Sequence, residues 1–394
     1  MTKAMNILNR MGFIRRNTSE TTENEKNNQK VATNFHFTDK YERTEGEKRI
    51  YNLIILDESG SMTRIKEQAL NGVNETIKGI MDAQQENPED NQMISFVSFN
   101  SRSSEPEENV KIIIDCEKIQ NTKEINPGQY NPNGGTPLMD AIGLSVTALQ
   151  KVVKECDNVL VTVITDGMEN TSRIYNIMQI KELTEALSKQ NWVFTYIGAN
   201  QDSEMSARNM GFSGAMDFEA SGQGSEIMWG RLHSSHRAFY RKVRNEKYTG
   251  IKEDYTSDFF SSKESMNRIT PRFITSLNPD EIFVFGSNIE GRHGGGAARQ
   301  ALEQFGAIMG QGTGLQGQSY AIPTMGGMTQ MKEHIEEFIQ FADSHPEMKF
   351  FVTRIGCGIA GYTPEEIAPM FAKAYSLPNV YLPEDFWKVL TYKY

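Results

Sequence analysis

The stretch "IYNLIILDESGSM", Ile50 to Met62, decides how the chain is read. Apart from Asn52, Ile50 to Leu56 is apolar and bulky, the signature of a buried strand. At its end the character changes abruptly. Asp57, Ser59 and Ser61 form the pattern D-x-S-x-S, which crowds an acid and two hydroxyls into five residues. Hard cations take such oxygen ligands. The stretch therefore reads as a strand that delivers half of a cation site, with the other half supplied from elsewhere in the chain.

Outward from this strand, apolar runs alternate with segments of helical period. "MISFVSF" (93–99), "VKIIID" (110–115), "NVLVTVIT" (158–165) and "WVFTYIGA" (192–199) read as strands. Ala69, Leu70, Val73, Ile77, Ile80 and Met81 recur at helical spacing, as do Leu138, Ala141, Ile142, Val146, Leu149 and Val153. A further helix is predicted over 174–189. The alternation predicts an α/β fold with a doubly wound, mostly parallel sheet over residues 48–246. A closing helix and a polar linker, 247–272, come next. A second, smaller α/β domain is predicted over 273–394, with strands "EIFVFG" (281–286), "KFFVTRIG" (349–356) and "NVYLP" (379–383). Ahead of both domains, "NTSETTENEKNNQKVAT" (17–33) holds only Val31 and Ala32 as apolar residues. Such a segment has too little to bury, so 1–47 is expected to be a disordered tail.

The balance of 41 basic and 51 acidic residues gives a net charge of −10, which disfavours nucleic acid and anionic membranes as general partners. "HRAFYRKVR" (236–244) is basic and is read as a solvated helix face. Cys116, Cys156 and Cys357 are widely spaced and odd in number, which suits buried thiols in a reducing compartment. No apolar run approaches the ~18 residues of a membrane span. A cytoplasmic protein is expected.

Sheets of this class bind ligands beyond the carboxyl ends of their strands. Asp57, Ser59 and Ser61 follow the first strand, and Asp166 follows "NVLVTVIT". Thr136 lies between a glycine turn and a helix start. All fall on one rim, and two carboxylates with three hydroxyls match Mg²⁺, or Mn²⁺ in its place. Each piece also has a plainer reading. The serines and Thr136-Pro137 make good helix caps, and Asp166-Gly167 makes a good turn. Met168 and Glu169 are read as turn and surface residues.

"LDESGSM" (56–62), "GGTPLMDAIG" (134–143) and "ITDGMEN" (164–170), in that order, resemble a von Willebrand factor A domain with its metal-ion-dependent adhesion site. The resemblance implies that Asp57, Ser59, Ser61, Thr136 and Asp166 hold the metal. It also implies that a protein partner's carboxylate completes the shell.

In the second half, "FVFGSNIEGRHGGGAARQALEQFGA" sets glycines between a strand and a helix, a suitable cradle for phosphate. "RIGCGIAGYTPEEIAPMF" repeats that design, and "GLQGQSYAIPTMGG" is read as a third loop between them. "GSN..GRHG.GAA", "QGQSYAIPT" and "RIGCG.AG" resemble macro domain-like proteins. The resemblance implies ADP-ribose or a related nucleotide as ligand. Asn288 would lie near the ribose, with Gly294, Gly295, Gly296, Ala297, Gly356, Cys357, Gly358, Ile359 and Gly361 at the phosphates. Members that remove ADP-ribose carry a lysine after the "PT" and an acid after "IGCGL"; here Met325 and Ala360 stand there. His293 is left as a candidate acid or base, or a partly exposed loop histidine, and Cys357 as a small buried filler. The expected function is a non-enzymatic adaptor with no catalytic residues. The alternative is an ADP-ribosyl hydrolase or nucleotide-processing enzyme.

Overall fold

The computed structural model describes residues 35–199, 203–251, 254–255, 259–260 and 268–392. The chain folds as two compact units. The first takes the described residues up to Ser221 together with Phe239–Phe259, and the second takes Gly222–Ala238 and the described residues from Phe260 onward.

In the first unit, strands β1 (Ile50–Asp57), β2 (Gln92–Phe99), β3 (Val110–Lys118), β4 (Asn158–Thr165), β5 (Trp192–Ala199) and β6 (Gly214–Phe218) form one sheet in the order β3-β2-β1-β4-β5-β6. Only the edge strand β3 runs antiparallel to its neighbour. Helices α1 (Lys66–Glu86), α2 (Leu138–Gln150), α3 (Ile177–Leu187) and α4 (Ser203–Asn209) connect the strands. Every residue of β1 is buried. Tyr51, Leu53 and Ile55 share a core with α2 and α3 residues such as Ile142, Val146, Ile180 and Leu183. Asn52, between them in sequence, donates to Gln92 Oε1 at 2.9 Å and accepts from the Tyr240 hydroxyl at 2.7 Å. A polar residue inside an apolar strand is thus fully hydrogen-bonded, as its burial requires.

The second unit has its own sheet, β11 (Val380–Tyr381), β10 (Lys349–Val352), β7 (Glu281–Ser287), β9 (Ser319–Pro323) and β8 (Gly314–Gln316), in that order. All neighbours are parallel except β8 and β9. Alternation along β7 feeds two cores. Ile282 and Val284 pack with Ile335 and Phe338 of α7 (Met328–Ser344), and Phe283 and Phe285 pack with Ala298 and Ala301 of α6 (Gly296–Gln304). Helix α5 (Gly222–Thr249) precedes this sheet in the chain, and α8 (Pro364–Ile367) and α9 (Glu384–Tyr392) follow β10 and β11.

Several expectations are corrected. Residues 1–34 lie outside the described residues, but 35–47, assigned to the tail, are packed. Phe35 and Phe37 are buried in the first core, and the Arg43 guanidinium grips buried Asp157 through both carboxylate oxygens at 2.9 and 2.8 Å. The polar run before them masked this anchor. The closing helix does not belong to the first unit alone, because Ile227 joins the second core and Gly230 abuts the Ala372 carbonyl. His236, Phe239 and Tyr240 are buried, so "HRAFYRKVR" is not simply a solvated face. In the linker, Tyr255 and Phe259 pack around Phe239 with ring centroids 5.6 and 6.5 Å away. "GLQGQSYAIPTMGG" is not one loop, since it forms the β8–β9 hairpin and only its end turns outward. Strand β6 and helices α4 and α9 were not anticipated. Cys116 is buried, but Cys156 is exposed and Cys357 half-buried. Among the described residues no helix is long and apolar enough to cross a membrane.

Candidate metal centre and glycine-loop rim

The first sheet reverses its strand order between β1 and β4. The loops after these strands splay apart there and leave a crevice. Asp57 ends β1, and its carboxylate is wholly buried. Oδ1 accepts from the Ser59 amide at 2.7 Å and Oδ2 from the Thr165 hydroxyl at 2.6 Å. Burial pushes its pKa up to about 6, against the pull of the Thr165 and Ser59 hydrogen bonds; the nearby Asp166 charge adds to the rise. Ser59 Oγ lies 3.1 Å from Ser61 Oγ, and Ser61 Oγ donates to Asp166 Oδ1 at 2.5 Å.

Gly167 closes the cluster. A Cβ placed there would lie 2.8 Å from Thr136 Oγ1, 3.4 Å from Asp57 Oδ2 and 3.5 Å from Ser61 Oγ. These three side chains, from two segments of the chain, therefore face one small space, and hydrogen bonds tie Ser59 and Asp166 to them. The structure brings together all five oxygen-bearing side chains singled out from the sequence.

The residues fit a divalent cation. Two carboxylates stand in one buried cluster, and among the described residues Asp57 makes no ion pair. Among the described residues Asp166 has one ion pair, with the mostly exposed Arg64 guanidinium at 3.5 Å. Buried charge of this kind calls for a cation or for protonation. Asp57, Ser59, Ser61, Thr136 and Asp166 would hold the ion, which would act as a Lewis acid toward one anionic oxygen. Among the described residues no group of three or more His, Cys, Asp or Glu could hold a metal. Hydroxyl ligands suit Mg²⁺ or Mn²⁺ better than zinc.

Three acids that sequence reasoning missed hold this cluster in place. Glu58 is buried, and it accepts from Ser98 Oγ at 2.7 Å, from the Asn131 amide at 2.5 Å and from Arg102 at 3.4 Å. It thereby ties the loop carrying Thr136 to the ends of β1 and β2. Glu169, read as a surface residue, instead accepts from the Met139, Thr171 and Ser172 amides. Asp140 answers from α2 by accepting from the Arg173, Ile174 and Tyr175 amides. Thr136 and Asp166 are thus fixed on two segments stitched to each other. Met168 is exposed, as expected.

In the second unit the order reverses between β7 and β10. The loops carrying Asn288 to Gly295 and Gly356 to Gly361 follow these two strands and share a rim. A Cβ on Gly294, Gly295, Gly296, Gly358 or Gly361 would meet nothing within 4 Å, so these backbones are open to a ligand. Gly295 caps α6 without a side-chain cap, and Ala297 lies in its first turn. Asn288 Oδ1 is engaged by the Arg292 amide at 2.8 Å. Ile359 is exposed and Cys357 half-buried, its thiol pKa pushed up to about 11 chiefly by burial. His293 is neither exposed nor free. It is buried edge-on to Phe285, with Nε2 3.1 Å from the Gln311 carbonyl oxygen, and burial lowers its pKa. Gly291 beside it has φ +65° and packs against Gln311, which forces the loop inward.

The family model for the von Willebrand factor type A domain matches residues 53–223. Among solved structures, a von Willebrand factor type A protein from Catenulispora acidiphila is similar at 13% identity over 46% of this chain and 42% of its own, with a TM-score of 0.34. Proximal thread matrix protein 1 from the mussel byssus is similar at 12% identity over 47% and 45%, with a TM-score of 0.32. The von Willebrand factor A domain of SpRpn10 is similar at 12% identity over 46% and 94%, with a TM-score of 0.34. The chain spans less than half the length of the first two. No curated protein matches it. Residues 53–223 are a von Willebrand factor type A domain.

Proposed function

We propose that this protein is an adaptor. Its von Willebrand factor A domain captures an acidic side chain of a protein partner through Mg²⁺ or Mn²⁺ held by Asp57, Ser59, Ser61, Thr136 and Asp166. The observation that carries this reading is the shared space over Gly167, faced by Thr136, Asp57 and Ser61 at 2.8–3.5 Å. Calorimetric titration with Mg²⁺ and Mn²⁺ tests it. Saturable binding lost in Asp57→Ala and Asp166→Ala variants that keep their fold supports the site; binding unchanged in both removes it.

The second unit, on this reading, is macro domain-like and binds ADP-ribose or a related nucleotide. Its two open glycine loops at the β7–β10 reversal support a phosphate cradle. Binding is favoured over hydrolysis. Met325 and Ala360 occupy the positions where hydrolytic relatives carry a lysine and an acid, and His293 is turned into the core. Free thiols favour a reducing, cytoplasmic setting. Titration with ADP-ribose, with no heat and no thermal shift at millimolar ligand, would remove this half.

A further inference from the structure

We infer that the second unit carries a small-molecule site beyond the carboxyl ends of β10 and β11, built for a phosphorylated pentose, free or within a nucleotide. A cleft of 540 Å³ opens there. Its volume falls within the ~300–1,000 Å³ of small-molecule pockets. Its position obeys the rule that open α/β sheets bind ligands outside their carboxyl strand ends. Thr353 and Arg354 follow β10, and Glu384 and Asp385 open α9 after β11.

The wall chemistry narrows the ligand. Arg272, Arg354 and Lys388 supply three cations, and Glu384 and Asp385 supply two carboxylates. Arg354 Nε lies 2.7 Å from Asp385 Oδ2, and Lys388 Nζ lies 2.6 Å from Glu384 Oε1. Among the described residues Arg272 makes no ion pair, so one cation is in excess. The paired side chains are 34–63% exposed, and solvent-exposed pairs of this kind are weak, so they exchange readily for a ligand. A guanidinium fork suits phosphate, and a carboxylate accepts hydrogen bonds from ribose hydroxyls. A bare phosphate would face two carboxylates with nothing to offer them, and a bare sugar would leave the cations unused. A ligand carrying both groups answers both. Phe273, next to Arg272, is 85% exposed and offers a face to a base if the pentose is part of a nucleotide.

This site uses none of the residues from Asn288 to Ala297 and stands independently of the nucleotide reading above. The test is calorimetry on the full chain with ribose 5-phosphate, AMP, inorganic phosphate and ribose. Ribose 5-phosphate should saturate, with inorganic phosphate and ribose each at least about tenfold weaker. Arg272→Gln and Arg354→Gln should each weaken ribose 5-phosphate about tenfold with melting temperature unchanged, the loss of one charge-assisted contact. Asp385→Asn should weaken ribose 5-phosphate but not inorganic phosphate. AMP binding tighter than ribose 5-phosphate, with the advantage lost in Phe273→Ala, makes the nucleotide the occupant; equal affinities make it the sugar phosphate. The proposal is overturned if ribose 5-phosphate binds no better than phosphate, or if both arginine variants bind it normally. Loss of binding in Gly295→Asp alone would assign the ligand to the glycine loop and also overturn the cleft.

Discussion

Gly167→Ala isolates the metal cluster from the rest of the fold. The added Cβ would lie 2.8 Å from Thr136 Oγ1, against 3.4 Å where ordinary contact begins, so the two must separate by 3.4 − 2.8 = 0.6 Å. Metal–ligand distances tolerate only about ±0.2 Å. The Thr136 hydroxyl therefore leaves its position, while Asp57 Oδ2 and Ser61 Oγ, at 3.4 and 3.5 Å, stay in ordinary contact with the methyl. Overpacking of this kind costs about 1–3 kcal/mol in folding. Misplaced coordination costs more in affinity, about 10–100-fold by the standard of displaced supporting groups. Calorimetric titration with Mn²⁺, with thermal unfolding in chelator as the stability control, separates the two effects. A variant that stays folded and binds Mn²⁺ at least about tenfold more weakly is the expected outcome. Wild-type affinity in a folded Gly167→Ala protein would refute the claim that Thr136, Asp57 and Ser61 share one ion.

Glu58→Gln keeps the shape but leaves an acceptor position facing Asn131 or Ser98 without its oxygen, so chelated protein should lose about 1–3 kcal/mol in denaturant titration and Mn²⁺ affinity should fall about tenfold. His236 is buried and its pKa is lowered from 6.5 to about 3, chiefly by desolvation and then by His233. Its stabilising contribution is complete above pH 6.5 and is lost as pH falls toward about 3, by ~1.4 kcal/mol per pH unit, so unfolding followed from pH 7 to 4 should flatten in His236→Gln. Arg268 donates to the Ala374, Tyr375, Leu377 and Val380 carbonyls and stacks on Trp387, so Arg268→Ala should cost about 3–5 kcal/mol of the second unit's stability in denaturant titration.

What the sequence disclosed follows from how local each signal is. Strands β1, β4 and β5 are mostly apolar runs, and their reading matches the observed bounds closely. Strand β6 is five residues long and begins at a glycine, and β9 lies among glycines, so neither shows a run long enough to outweigh its turn residues. Asp57, Ser59, Ser61, Thr136 and Asp166 were legible because three short segments carry them, two at strand ends and one at a helix start. Glu58 was not, because its role is a contact to an amide 73 residues away that no spacing announces. Asp140, whose amide partners lie 33 to 35 residues on, was hidden for the same reason, as was the reach of Glu169 to the Met139 amide 30 residues back. His293 sits among glycines that suggest an open loop, yet the turn at Gly291 folds it against Phe285.

The most direct measurement of the central claim is anomalous diffraction from crystals grown with Mn²⁺. The account requires one anomalous peak in the first unit, between the Ser59 and Ser61 hydroxyls and close to Thr136 and Asp166, at ligand distances of about 2.0–2.2 Å. A peak elsewhere, or none at millimolar Mn²⁺, would contradict it.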